Sequence, residues 1–219
     1  MYMYDWSVIT RNMDVFIYGA LKTLEISAIS ILLAIPIGII FGMGRISKNK
    51  FFRLISSIYV EIIRGVPLLV LLIWIFFVLG QFLKLGSYWG SIWGLAIFAG
   101  AFIAEIVRAG IQGVPKGQME AARSLGMSHA KAMTHIILPQ AFRRVLPPLA
   151  SQFIMLIKDS SLISIIGATE LTLDAKNLVA TSFRSIEVWT FVAVVYFIMT
   201  FSLSLIIRYF ETRLSKSEA

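Results

Sequence analysis

The sequence contains no cysteine, which excludes a disulfide framework and any thiolate metal site. Histidine is nearly absent too. His129 and His135 stand six residues apart, a poor spacing for a shared metal, so we expect no metal centre and read both as solvated loop residues. Only 12 of the 219 residues are acidic, which leaves little material for catalysis. No glycine opens a G-x-x-x-x-G-K-[S/T] phosphate loop, so ATP chemistry cannot reside on this chain by that route. No segment repeats and none is of low complexity, and one domain over residues 1–219 is the simplest count. The first fifteen residues carry Asp5, Arg11 and Asp14 and lack a basic segment followed by an apolar one, so no cleavable signal is expected.

What the chain has in excess is apolar surface. Hydrophobic residues make up 58%, against about 45–50% in an ordinary soluble domain. A bilayer core of roughly 30 Å needs about 20 mostly apolar residues per helix, and five segments qualify. They cover about residues 16–43, 54–83, 88–109, 145–168 and 188–209. The expected fold is therefore an all-α membrane protein with five transmembrane helices.

The net charge of +8 has two readings, nucleic acid or membrane orientation. The basic residues are scattered between spans rather than clustered on one face, which favours orientation and gives no reason to expect a nucleic-acid partner. Arg45, Lys48, Lys50 and Arg53 follow the first span, Lys116, Arg123, Lys131, Arg143 and Arg144 the third, and Arg213 and Lys216 the fifth. The alternate loops carry Lys84 alone, or Lys176 and Arg184 offset by Glu170, Asp174 and Glu187. Because basic loops stay in the cytoplasm, the amino terminus is expected outside and the carboxyl terminus inside. Residues 110–144 then form a cytoplasmic loop. Trp74, Trp89, Trp93 and Trp189 fall toward the outer interface, where an aromatic belt would sit.

Within that loop, EAARSLGMSHAKAMTHIILPQ (Glu120 to Gln140) reads as an amphipathic helix with two faults. Ala121, Leu125, Ala132 and Ile136 make a weak apolar stripe. Gly126 costs about 1 kcal/mol against alanine inside a helix, which packing alone does not explain. A left-handed cap at Gly126, a new N-cap at Ser128, and a stop or kink at Pro139 together give a short helix between two bends. Such an element suits docking into a partner's groove or lying on the lipid surface.

The spacing of Glu120, Ala121, Ala122, Gly126, Ile136, Leu138 and Pro139 resembles the cytoplasmic EAA loop of permease subunits of bacterial ABC importers. EIIRGVPLLVLL (Glu61 to Leu72) and IKDSSLISIIG (Ile157 to Gly167) are similar to its polar amino-acid branch, and the likeness runs from the first span to the last. The resemblance implies that the loop is a coupling helix seated in an ATP-hydrolysing subunit, with Glu120, Ala121, Ala122, Ser124, Leu125 and Gly126 as docking residues. It implies a transport subunit rather than an enzyme, with no cofactor of its own and ATP bound by a partner dimer of ABC ATPase subunits. It further implies a second copy of this chain or a related permease chain, an extracytoplasmic solute-binding protein, a polar amino acid as substrate, and a multi-pass location in the cytoplasmic (inner) membrane. Transport would proceed by alternating access between two arrangements of packed helices.

Ionisable residues within spans are functional candidates, because each costs roughly 2.5–3.5 kcal/mol at a helix centre. These are Glu25, Glu61, Arg64, Glu105, Arg108, Lys158 and Asp159. Glu61 with Arg64, and Glu105 with Arg108, are three apart and can neutralise each other along one helix face. Asp159 near the middle of span four shares a face with Gln152 and Met155, and Ser160 and Ser161 follow. That face can line an aqueous path and hold the amino group of an amino acid, or Asp159 can bond a backbone group or Lys158 of another subunit. Together with Glu61, these are the substrate-path candidates, and their acidity favours a basic amino acid over an acidic one. The G-x-x-x-G pairs Gly38/Gly42 and Gly90/Gly94 read as close helix packing. Pro36 and Pro67 are expected to kink their helices. Two rivals remain: a self-contained ion-coupled transporter or channel, which would usually carry an inverted repeat, and a membrane-embedded hydrolase using Ser160 or Ser161, which would need a base within the membrane.

Overall fold

The computed structural model describes residues 4–216, and among these every regular element is a helix. The helices are α1 (Ser7–Arg11), α2 (Met13–Arg45), α3 (Lys50–Gly65), α4 (Leu68–Trp74), α5 (Gly80–Leu83), α6 (Ser87–Gln112), α7 (Lys116–Ser124), α8 (His129–Ala132), α9 (Leu138–Asp159), α10 (Leu171–Ser182) and α11 (Ser185–Lys216). π-helical turns at Ile75–Leu79 and Met133–Ile137 join α4 to α5 and α8 to α9, and a 3₁₀ stretch, Ser160–Ile166, continues α9. The side chains of Arg213 and Lys216, used above to orient the chain, lie outside the described residues.

Four helices are long and apolar enough to cross a bilayer: Met13–Arg45, Ser87–Gln112, His129–Ile166 and Ser185–Tyr209. The expected second span is instead a bent pair, Lys50–Gly65 and Leu68–Leu79, and counts as a fifth crossing only if the two halves are taken as one. The cause lies in Gly65-Val66-Pro67. Proline pushes the residue before it out of the helical region and lacks an N–H, and Pro67 takes φ −57°, ψ 136° as the N-cap of α4. Pro36, by contrast, lies inside an unbroken α2. A proline in a span is tolerated when its neighbours satisfy the freed carbonyl.

The expected fourth span, 145–168, falls largely within a longer helix. Its helix starts at His129, because Pro139 does not stop it: the chain widens into the π turn Met133–Ile137 just before Leu138-Pro139. A wider turn relieves the clash between a proline ring and the carbonyl four residues back. Asp159 consequently closes α9, well past the middle of the span.

The chain divides into two compact units. In the unit made of residues 1–33, 66–96 and 153–219, Val8, Ile9, Phe16, Leu171, Ala175, Val188 and Val192 form one buried cluster. Phe16 meets Phe191 edge-on at 4.8 Å. α4 packs on the 3₁₀ stretch, and α10 packs on α11. Gly94 admits Leu72, whose Cδ2 would lie 2.6 Å from an added Cβ.

In the unit made of residues 34–65 and 97–152, α2 and α6 meet through Gly38 and Gly42. A Cβ at Gly38 would collide with Ile103, and one at Gly42 would lie 2.7 Å from the Ala104 carbonyl oxygen. Close approach by small residues is what drives association of helices in lipid, so these glycines do pack helices. Gly110 does the same between α6 and Val145 of α9, and Tyr59 Oη donates to the Ile97 carbonyl at 2.6 Å.

Candidate functional site

The segment from Lys116 to Gln140 folds as two helices around a tight turn. α7 starts after Pro115 (φ −56°, ψ 132°), a residue suited to leading into a helix. It ends in a Schellman motif: Met127 N–H donates to the Ala122 carbonyl at 3.1 Å and Gly126 N–H to the Arg123 carbonyl at 3.0 Å. Gly126 sits at φ +80°, the left-handed region that glycine enters without steric cost. Arg123 Nη1 reinforces the turn by donating to the Met127 carbonyl at 2.8 Å. Ser128 then caps the next helix, its hydroxyl accepting from Lys131 N–H at 3.3 Å.

The apolar stripe inferred from the sequence is rearranged. Ala122, Ala132 and Ile137 are buried, while Ala121 is exposed and Leu125 is 84% exposed. A stripe stepped at 100° per residue assumes one continuous helix. The left-handed turn at Gly126 resets that count, so positions before and after it no longer share a face. α7 packs its Ala122 side against α8 and the π turn, and Gln140 Nε2 reaches Gln118 Oε1 at 3.4 Å. Glu120, Ala121, Ser124, Leu125 and Gly126 are left on the solvent side of this element. His129 and His135 are both exposed.

The same unit holds a cluster of five charges. Arg108 Nε and Nη2 donate to Glu105 Oε2 at 2.9 and 2.7 Å, as their spacing implies. Glu61, however, does not pair with Arg64. Arg45 Nη2 donates to Glu61 Oε1 at 3.0 Å, and Arg45 Nη1 bonds Glu105 Oε1. Arg64 approaches Glu105 at 3.9 Å and lies over the Phe102 ring, 5.3 Å from its centroid. Spacing reports partners only along one helix, whereas Arg45 comes from another, at the last residue of α2.

The substrate-path candidates differ among themselves. Gln152 is buried, Met155 is 46% exposed and Asp159 is half-buried. Ser160 and Ser161 donate to the carbonyls of Ile157 and Lys158 at 2.8 and 2.7 Å, three residues back, as the 3₁₀ turn permits. Asp159 makes no hydrogen bond or ion pair among the described residues, a costly state for a carboxylate unless something else satisfies it.

Sequence reasoning missed a second polar centre. Glu170 and Glu187, read as loop acids, are fully buried. Glu170 caps α10, accepting from Thr172 N–H and Leu173 N–H, both at 2.8 Å, and from Tyr196 Oη at 2.9 Å. Burial pushes its carboxyl above the ordinary glutamate value, and those three donors pull the other way. Asp5 N–H donates to Glu187 Oε1 at 2.8 Å. Asp174 is also pushed up by burial, and its Oδ2 has no hydrogen-bond partner. The available signal was an acid directly before the Leu171-Thr172-Leu173 run, where an N-cap belongs.

Residues 34–216 match the family model described as binding-protein-dependent transport system inner membrane component. The chain is 37% identical over 214 residues to the glutamine transport system permease protein GlnP of Escherichia coli (strain K12), covering 96% of this chain and 98% of that protein. It is 38% identical over 212 residues to the probable glutamine ABC transporter permease protein GlnM of Bacillus subtilis (strain 168), with the same coverage of each. A crystal structure of an amino acid ABC transporter with histidines superposes with a TM-score of 0.92 at 38% identity, covering 97% of this chain and 100% of that chain. The MetNI methionine ABC transporter, at 22% identity and a TM-score of 0.72, shares the fold.

Proposed function

This chain belongs to the family of binding-protein-dependent transport system inner membrane components, and from that membership we propose how it works. It is a multi-pass cell-membrane permease of the amino-acid ABC importer type. In the proposed arrangement the whole chain forms one permease domain with its amino terminus outside and its carboxyl terminus inside. Two copies, or this chain and a related one, enclose a single path. A dimer of ABC ATPase subunits binds ATP on the cytoplasmic side, and an extracytoplasmic binding protein delivers a polar amino acid to the outer face. Relatives named for glutamine support that substrate class.

The observation that carries the coupling role is the turn at Leu125 and Gly126. A leucine left 84% exposed beside a left-handed glycine, on an element whose other side is packed down, is the shape of a docking knob. Glu120, Ala121, Ser124, Leu125 and Gly126 are its proposed docking residues, and Ala122, expected among them, is buried and packs the element from beneath. ATP binding would draw two such elements together and switch the helices between inward- and outward-open packings. On the substrate side, Asp159 is the strongest of the six candidates because its carboxylate has no hydrogen bond or ion pair among the described residues, and Met155 is exposed one turn away. Glu61 already holds Arg45, Gln152 and Ser160 are buried, and the hydroxyls of Ser160 and Ser161 bond backbone.

The test replaces Gly126 in the assembled transporter. Nothing lies within 4 Å of an added Cβ, so Gly126→Val strains the turn without a clash. Valine should leave membrane insertion intact and separate ATP turnover from uptake, whereas Gly126→Asn, which tolerates a left-handed backbone, should keep coupling. Normal uptake by the valine variant sinks the docking role. Screening ATP hydrolysis against all twenty amino acids names the substrate, and transport by this chain alone in liposomes overturns the ATP-driven reading.

A further inference from the structure

The unit containing residues 34–65 and 97–152 also carries a two-part cavity that the transport reading does not use. One part is an open groove of about 350 Å³ whose lining is apolar throughout, including Ile39, Met43, Val107, Phe142 and Leu149. The other is a cleft of about 910 Å³ lined in part by Ser47, Lys48, Gln112, Lys116 and His129. The two adjoin, for Met43, Ile111 and Leu138 belong to the walls of both. Among the described residues, no acidic side chain lines either part. Lys48 and Lys116 are exposed and make no ion pair or side-chain hydrogen bond among the described residues, while the nearby acids Glu61 and Glu105 are held by arginines.

Each candidate occupant can be weighed against that lining. A zwitterionic amino acid entering the groove would lose its hydration and find no hydrogen-bonding side chain there. An acyl chain requires only apolar walls, and Ile39, Met43 and Phe142 leave the groove open on one side. The basic cleft at its end asks for an anion joined to that chain. Basic pockets beside membrane helices are suited to anionic lipid headgroups.

We propose that this cavity binds one anionic phospholipid, with an acyl chain in the apolar groove and the phosphate between Lys48 and Lys116. The proposal requires only that the chain spans a membrane. Lys116 and His129 lie on the same element as Gly126, but the proposal needs neither ATPase docking there nor a particular topology.

The test uses the transporter purified as it assembles, titrated with phosphatidylglycerol or phosphatidylcholine and read by native mass spectrometry. One phosphatidylglycerol per copy of this chain should be retained in preference to phosphatidylcholine. Lys48→Gln and Lys116→Gln should each weaken that retention about fivefold, and both sit on exposed positions that do not threaten folding. Ile39→Trp, which fills the groove, should reduce retention of the lipid while excess inorganic phosphate should not displace it. Equal retention of both lipids, indifference to the lysine changes, or displacement by phosphate alone overturns the proposal. Because the chain has no cysteine, Phe142→Cys provides a unique cross-linking point. Efficient cross-linking to a second permease chain or to an ATPase subunit would assign the groove to a protein interface and also overturn it. Failure of lipid binding with intact uptake refutes this site alone.

Discussion

Glu105 and Glu170 are carboxylates withdrawn from water, one in each compact unit, and their surroundings have nothing in common. Glu105, with a side chain 16% exposed, takes bonds from Arg45 and Arg108, with Arg64 close by. Glu170, fully buried, is held by two backbone N–H groups and a phenol, with no cation bonded to it. The first arrangement ties together side chains from three helices, α2, α3 and α6. The second stabilises the start of α10 and adds one link to α11. Loss of the acid at the centre of an arginine cluster is therefore felt on three helices at once, because the arginines keep only their outer partners Glu61 and Gln112. A capped helix end fails locally.

The sharpest way to break this comparison is Glu105→Ala, which leaves Arg45 with Glu61 alone and Arg108 with Gln112 alone. A loss of about 2–3 kcal/mol is expected, seen as a lower Tm of the detergent-solubilised protein. Replacing both Glu105 and Arg45 by apolar residues should recover part of it. A cost for Glu105→Ala no greater than that for Glu170→Ala would remove the distinction. Glu170→Ala deletes an N-cap and should cost about 1–2 kcal/mol.

A second contrast concerns what each glycine faces. Gly42→Ala meets the backbone of Ala104 at 2.7 Å, which cannot turn aside, and should cost about 1–3 kcal/mol. Gly94→Ala meets the terminal Cδ2 of Leu72 at 2.6 Å. A flexible side-chain end can rotate, and alanine's helix preference of about 1 kcal/mol offsets the remainder, so a near-neutral Tm is expected there.

The smallest effect is one of pH. Burial raises Glu170 above its ordinary 4.5, so the folded state binds that proton more tightly than the unfolded one. Its contribution to stability is full at low pH and fades as pH rises from 4.5 toward the raised value. Glu170→Gln should flatten that part of the Tm-against-pH curve. An unchanged curve would show that the three donors cancel the burial.

The spans were legible because apolar runs of bilayer length leave few alternatives, and the cap residues Gly126 and Ser128 were legible because each backbone state needs a particular residue type. Contacts between helices were not. Arg45 is sixteen positions from Glu61 and sixty from Glu105, separations no helical period marks. The early start of the helix at His129 was hidden by its polarity, since a helix leaving hydrocarbon loses the apolar signal without losing its hydrogen bonds. Glu170 was hidden because backbone donors carry no residue identity. Val66-Pro67 was expected to bend a helix and instead divides it, a choice made by packing on either side.

One property of the turn at Gly126 concerns handedness rather than size. Its φ of +80° lies where L residues are strained, yet the space a Cβ would enter is empty. The position therefore discriminates mirror images. A D-alanine introduced there by chemical synthesis would sit without strain and hold the turn more firmly than glycine, because it restricts the unfolded chain. Substitutions by ordinary residues should then rank by their tolerance of a left-handed backbone, asparagine ahead of alanine and alanine ahead of valine, with volume a poor guide to the order.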